Sequence, residues 1–208
     1  MRIVLRGNFM EGADLQPGIL PWSTETHLAS SFEQLGHEVV RVQEDRVDWV
    51  TTVKACVDAD LFVWTATRDY SLRWDQAVAR DAVAELNDML PTVGVHLDLW
   101  WGLNRAPHVL DDVYWTMRYY FTADGDHDRD WERAGIRHFF SAPAVYGPEC
   151  VPGRFRAEWA SDVAFIGSWQ VYVHNEHWPV RRQILSYTRE RFGNAFQCWP
   201  REGHGAVR

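Results

Sequence analysis

Acidic and imidazole side chains recur just after the apolar runs of this sequence, where a parallel sheet would gather them at one end. Asn8, Glu11 and Asp14 follow the first run, Asp69 the third, His96 and Asp98 the fourth, and Asp124 and Asp126 the fifth. A carboxylate or imidazole at such a place can accept a proton from a substrate hydroxyl. His96 and Asp98 are the strongest pair, because two residues at strand spacing share one face. The alternative role of each Asp is to cap the next helix or close an Asx turn. In "DGDHDRDWE", Asp124-Gly-Asp126 matches an Asp-X-Asp that can chelate a divalent ion on a sugar-nucleotide diphosphate, as in single-sheet, metal-dependent glycosyltransferases. The competing role is an Asp-rich helix start favoured by the helix dipole. An EF-hand loop is set aside because Arg129 stands where its sixth-position Gly is needed.

Farther along, Gly167 and Ser168 end the run "DVAFIGS" and precede a helix containing Arg181 and Arg182. Exposed backbone N–H groups facing a helix N-terminus can seat a diphosphate, and arginines in the first turns can add charge-assisted contacts. The plainer alternative is that Gly-Ser only makes a turn. "GHGAVR", with His204, forms a later loop open to a ligand. There is no Gly-x-Gly-x-x-Gly after the first strand, no phosphate-loop Gly-Lys-Ser/Thr and no Gly-x-Ser-x-Gly elbow. Dinucleotide oxidoreductases, nucleoside triphosphatases and hydrolases of those kinds lose weight accordingly.

The elements that must position these residues alternate between strand and helix. Strands are predicted at "RIVLRG", "HEVVRVQ", "DLFVWTAT", "PTVGVHLD", "RYYFTAD" and "RHFFSAP". The helices between them are expected to bury Leu28, Phe32 and Leu35 before Gly36, then Val50, Val53 and Val57, then Val78, Ala82, Leu86 and Met89. Apolar strands alternating with helices give an α/β fold with a doubly wound, Rossmann-like parallel sheet covered on both faces. Residues 1–145 therefore make one such domain. Residues 146–160 belong to a stretch rich in Pro and Gly, the composition of a linker. Residues 161–208 read as strand, loop, helix, strand, the helix burying Val180, Ile184, Leu185 and Phe192. This is the first βαβ part of a second parallel sheet. Two strands do not make a stable sheet alone, so the expectation is a truncated second domain.

The chain has 208 residues, 46% of them hydrophobic and 24% charged, enough to bury a substantial core. Its net charge of −8 and lack of a Lys/Arg run argue against a nucleic-acid surface. No apolar stretch is long enough to span a membrane. Three cysteines without metal or redox spacing read as reduced thiols, which predicts a cytoplasmic protein.

"YYFTAD", "AGIRHFFSAPAV", "SDVAFIGS" and "RRQIL", in that order and spacing, resemble the spore-maturation-protein-B-like glycosyltransferases over about residues 118–192. The resemblance implies the two-sheet glycosyltransferase fold called GT-B, with an N-terminal acceptor domain and a C-terminal nucleotide-sugar domain. It implies a sugar transfer without a metal or other cofactor. Gly167, Ser168 and Trp169 would border the donor diphosphate, and His96 or Asp98 would face the acceptor, a glycan, a small molecule or a hydroxymethylated base in viral DNA. Asn8, Glu11, Asp69 and Asp124 would line the acceptor side, and Arg181 and His204 the donor side. This sequence departs from the family at "YVHNEHWP", which reads as an insertion between strand and helix, and it lacks the later donor-site residues. The chain by itself is therefore expected to transfer little or no sugar. A non-catalytic Rossmann-like binding module is the alternative outside the enzymes.

Overall fold

The computed structural model describes residues 1–9, 24–65, 76–97, 101, 112–143, 147, 157, 160–166 and 178–199. The chain divides into two compact units, Met1–Tyr146 and Gly147–Arg208.

The first unit is built on a six-stranded sheet in the order β2-β1-β3-β4-β5-β6. Its strands are β1 (Arg2–Gly7), β2 (Glu38–Gln43), β3 (Leu61–Thr65), β4 (Thr92–His96), β5 (Tyr119–Thr122) and β6 (His138–Phe140). Every neighbouring pair is parallel. The helices are α1 (Thr24–Gln34), α2 (Trp49–Ala55), α3 (Gln76–Met89) and α4 (Asp128–Arg133), with a 3-10 turn at Val113–Thr116.

Two-residue alternation sorts the core onto the two faces of the sheet. Val4, Val42, Phe62, Trp64 and Tyr120 pack with Trp49, Ala79, Ala82, Val83, Leu86, Trp115 and Trp131 on one face. Ile3, Leu5 and Val63 pack with Ala29, Leu28 and Phe32 of α1 on the other. Gly94 lies in the middle of β4 because the Tyr120 ring lies over it: a Cβ there would come within 2.5 Å of Tyr120 Cδ1. The Tyr120 hydroxyl donates to Tyr114 O at 2.6 Å and accepts the Met117 N–H, tying the 3-10 turn to β5.

The helices exist where the sequence pattern places them, and their inward faces match in part: Ala82 and Leu86 are buried and Leu28, Phe32 and Val53 pack against the core as expected, whereas other expected positions turn outward. Leu35 is 73% exposed, because α1 ends at Gln34 and Gly36, at φ +83°, turns the chain away. In α2 the large Trp49 takes the core position together with Thr52, which rotates Val50 and leaves Val57, beyond the helix, in solvent. Asp48 caps this helix by accepting the Thr51 N–H at 2.7 Å. In α3 the small residues Ala79 and Ala82 face the core with Val83 and Leu86, so Val78 and Met89 point outward. The expected stripe holds Ala82 and Leu86; Ala79 and Val83 complete it in place of Val78 and Met89.

The second unit contains β7 (Val163–Ile166), α5 (Trp178–Phe192), a 3-10 turn at Gly193–Ala195 and β8 (Phe196–Trp199). β7 and β8 pair in parallel, Val163 opposite Phe196 and Ile166 opposite Trp199. Leu185 is buried, whereas Val180, Ile184 and Phe192 are exposed, contrary to the expected inward face. A two-stranded sheet is too narrow to cover more than one stripe of a helix. Among the described residues no helix is long and apolar enough to cross a membrane.

Candidate functional site

A ligand of an open parallel sheet binds beyond the carboxyl ends of its strands, at the point where the strand order reverses. Here the chain leaves β1 on one side for β2 and returns on the other side for β3, so the reversal lies at the carboxyl ends of β1 and β3.

Gly7 ends β1 at this point. Its carbonyl accepts the Glu44 N–H at 3.0 Å, which pins the residues following β2 beside it. A Cβ on residue 7 would come within 2.5 Å of Glu25 Cγ and 3.0 Å of Thr65 Oγ1, so only Gly lets the start of α1 and the end of β3 close here. Next to Gly7, Asn8 Oδ1 accepts Gln43 Nε2 at 2.9 Å. The same Gln43 nitrogen donates to Asp45 at 2.7 Å, and Gln43 Oε1 accepts the Phe9 N–H at 2.8 Å. Asn8, expected to face an acceptor, is thus part of a polar clamp between the ends of β1 and β2.

Below this clamp lies a buried polar cluster. The Arg6 guanidinium donates to Val47 O at 2.9 Å, Thr52 Oγ1 at 2.7 Å and Glu44 O at 3.2 Å, and lies 4.2 Å from the centre of the Trp49 ring. Burial brings its pKa down to about 10, against the opposing fields of Glu44 and Asp48. Glu44 Oε2 accepts Trp64 Nε1 at 3.0 Å. Burial pushes this carboxyl up to about 7; the Trp64 hydrogen bond and Arg6 oppose the shift, while Glu25 and Asp45 add to it. Glu25 and Glu44 are 1% and 3% exposed.

His96 ends β4 opposite Thr122 of β5. It is buried against Trp115, stacked at 6.0 Å, and Tyr114, edge-on at 5.8 Å. Its expected partner Asp98 lies outside the described residues. Asp124 is 1% exposed, and its Oδ2 accepts the Trp101 N–H at 3.3 Å, whereas Asp126 is exposed. The two carboxylates of the Asp-X-Asp thus sit in different surroundings. Among the described residues there is no group of three or more His, Cys, Asp or Glu able to hold a metal ion.

One further constellation links β5, β6 and α4. Thr122 Oγ1 lies 2.8 Å from His138 Nε2, and His138 Nδ1 lies 3.0 Å from Asp128 Oδ1. Burial lowers the pKa of His138, against the pull of Asp128. A neutral ring with its proton on Nδ1 donates to Asp128 and accepts from Thr122, the hydrogen-bond order of a nucleophile, base and orienting carboxylate. Thr122 is fully buried, and its oxygen also accepts the Asp124 N–H at 3.1 Å. Its role here is positional: it fixes the start of the segment that carries Asp124.

Of the remaining residues expected to act, Glu11, Asp14, Asp69, Gly167, Ser168, Trp169 and His204 lie outside the described residues. Arg181 belongs to the first turns of α5, and its side chain is likewise outside the description. Glu44 is open to detection from sequence, since it directly follows the second predicted strand. Glu25 carries no separate signal, because an acid in a first helical turn is ordinary. His138 and Asp128 meet only through the pairing of β6 with β5.

Comparison of the chain with protein-family models, curated proteins and solved structures finds no match. What the geometry establishes is an α/β architecture whose first unit carries a six-stranded parallel sheet flanked by helices, consistent with a Rossmann-like fold.

Proposed function

We propose that the protein is a glycosyltransferase of the two-sheet kind, transferring a sugar from a nucleotide-sugar to an acceptor hydroxyl. The observation that carries this reading is the succession of two parallel α/β units, a six-stranded one followed by a strand–helix–strand unit with its own sheet. The ordered motifs from "YYFTAD" to "RRQIL" support it. In this reading the first unit offers the acceptor side, with His96 and Asp98 as candidates for drawing a proton from the hydroxyl. The second offers the donor side, with Gly167, Ser168 and the α5 arginines toward the diphosphate.

The experiment is release of nucleoside diphosphate from a panel of nucleotide-sugars, using the intact protein and a mixed pool of hydroxylated acceptors. Acceptor-stimulated release that falls at least tenfold in Asp98→Asn supports the assignment. Absence of release with every donor contradicts it.

A further inference from the structure

Thr122, His138 and Asp128 close a circuit of hydrogen bonds around the segment that carries Asp124. Thr122 on β5 and His138 on β6 share the sheet face that α4 covers, and the His138 ring lies flat against Trp131 at 5.1 Å and 10°. The Thr122 hydroxyl oxygen accepts the Asp124 N–H at 3.1 Å, and the Asp124 carbonyl accepts the His127 N–H at 3.3 Å, where α4 begins. Asp128 Oδ1, in the first turn of α4, lies 3.0 Å from His138 Nδ1, and His138 Nε2 returns to Thr122 Oγ1 at 2.8 Å.

A carboxylate only accepts, so Asp128 draws the proton of the neutral ring to Nδ1; the other tautomer would set a lone pair against an anion. Nε2 is then bare and takes the Thr122 hydroxyl hydrogen, which leaves the lone pairs of that oxygen to the Asp124 N–H. Thr122 is 0% exposed and the His138 side chain 1%, so neither can exchange its partner for water unless the segment opens.

We infer that His138 is a positioning residue for Asp124: its neutral Nδ1–H form fixes the carboxyl end of β5, and a second proton, on Nε2, uncouples it. That proton comes from solvent and turns Nε2 from acceptor to donor. Two N–H groups then converge on one buried oxygen, and the Thr122 hydrogen loses the acceptor it had. The charged imidazolium donor outcompetes the neutral Asp124 N–H, which gives way. The charged groups facing the ring are Asp128 on α4 and Asp124 beyond β5; Trp131 on α4 and Thr122 on β5 face it without charge.

Burial lowers the His138 pKa against the pull of both carboxylates. The circuit is therefore intact at and above the ordinary histidine value, and is lost as pH falls through the lower folded one. Its consequence for transfer rests on the reading of Asp124 as an acceptor-side residue, which acid would then displace. The hydrogen bonds themselves do not rest on that reading.

Nitrogen-15 shifts of the His138 ring and hydrogen exchange of the Asp124 amide should be followed in the intact protein from about pH 8 to about pH 4.5, across the histidine range. The variants are Thr122→Val, Thr122→Ser and His138→Gln, whose amide oxygen can accept from Thr122 without titrating. The expected neutral ring carries its proton on Nδ1. Asp124 exchange, corrected for its intrinsic pH dependence, should rise at least tenfold as the ring takes its second proton, while the amides of β1 stay protected. His138→Gln should keep Asp124 exchange level over the same range. Thr122→Val should raise it at least tenfold at pH 8, and Thr122→Ser should restore it. A neutral ring protonated on Nε2, or Asp124 exchange that does not follow the ring titration, overturns the proposal. If a variant does not fold, the wild type decides, by the tautomer and by whether ring and amide change at one pH. No readout uses a nucleotide-sugar, so failure of sugar transfer and failure of this proposal are separate results.

Discussion

The indole N–H of Trp64 donates to Glu44 Oε2 at 3.0 Å, joining the third strand to the residue after the second across the end of β1. Both side chains lie on the sheet face that carries Arg6 and Trp49, and Trp49 meets Trp64 edge-on at 4.9 Å. The bond favours the ionised carboxylate, in opposition to burial. Trp64→Phe keeps most of the apolar contact and removes the donor. Its expected effects are a loss of about 1–3 kcal/mol in urea unfolding and an upward move of the Glu44 titration. A carbon-detected carboxyl titration checks the second effect; a downward move would contradict the assignment.

Arg6 is held by three hydrogen bonds and by the Trp49 face. Arg6→Leu leaves the Val47 and Glu44 carbonyls without their buried donor and should cost about 3–5 kcal/mol, the range for removing one member of a buried charged cluster. Arg6→Lys should recover only a minor part, because one ammonium cannot reproduce the planar fork. Equilibrium denaturation of the two variants tests this, and full recovery by Lys would contradict it.

Gly94 leaves room for the Tyr120 ring in the middle of the sheet. Gly94→Ala should destabilise the first unit by about 1–3 kcal/mol through overpacking. Gly94→Ala in a Tyr120→Leu background should cost less, a coupling that a double-mutant cycle in urea measures directly.

His138 carries the opposite pH sign to Glu44. Its folded pKa is depressed chiefly by burial, so the unfolded chain binds more protons as pH falls through the ordinary histidine range. The His138 contribution is therefore present above that range and lost below it. His138→Phe should flatten this acid-side loss in thermal melts while lowering stability at pH 8, since it deletes the bonds to Thr122 and Asp128. An unchanged acid limb would contradict the role.

Strand identity follows from the apolar runs, because a strand buried on both faces has few other ways to be written in sequence, whereas the order β2-β1-β3-β4-β5-β6 is not carried by those runs. The helix faces are less legible. Trp49 takes the core position in place of Val50, and Ala79 takes that of Val78, while Ala82 and Leu86 are buried as expected. In the site, the rule that chemistry follows strand ends leads to Asn8, His96 and Asp124; Glu44, which directly follows the second predicted strand, is not among the residues it picked out. What it does not contain is the inward turn of Asp124 toward Trp101, or the meeting of Thr122, His138 and Asp128 across two strands and a helix. Those depend on register and docking, which residue order alone does not carry.

Use of a nucleotide-sugar is the central claim, and isothermal titration of the intact protein against a panel of nucleotide-sugars measures it most directly. The expected result is saturable binding of at least one donor, competition by the matching nucleoside diphosphate, and weakening of at least tenfold in the Arg181→Ala, Arg182→Ala double variant. A folded protein that binds no member of the panel would contradict it.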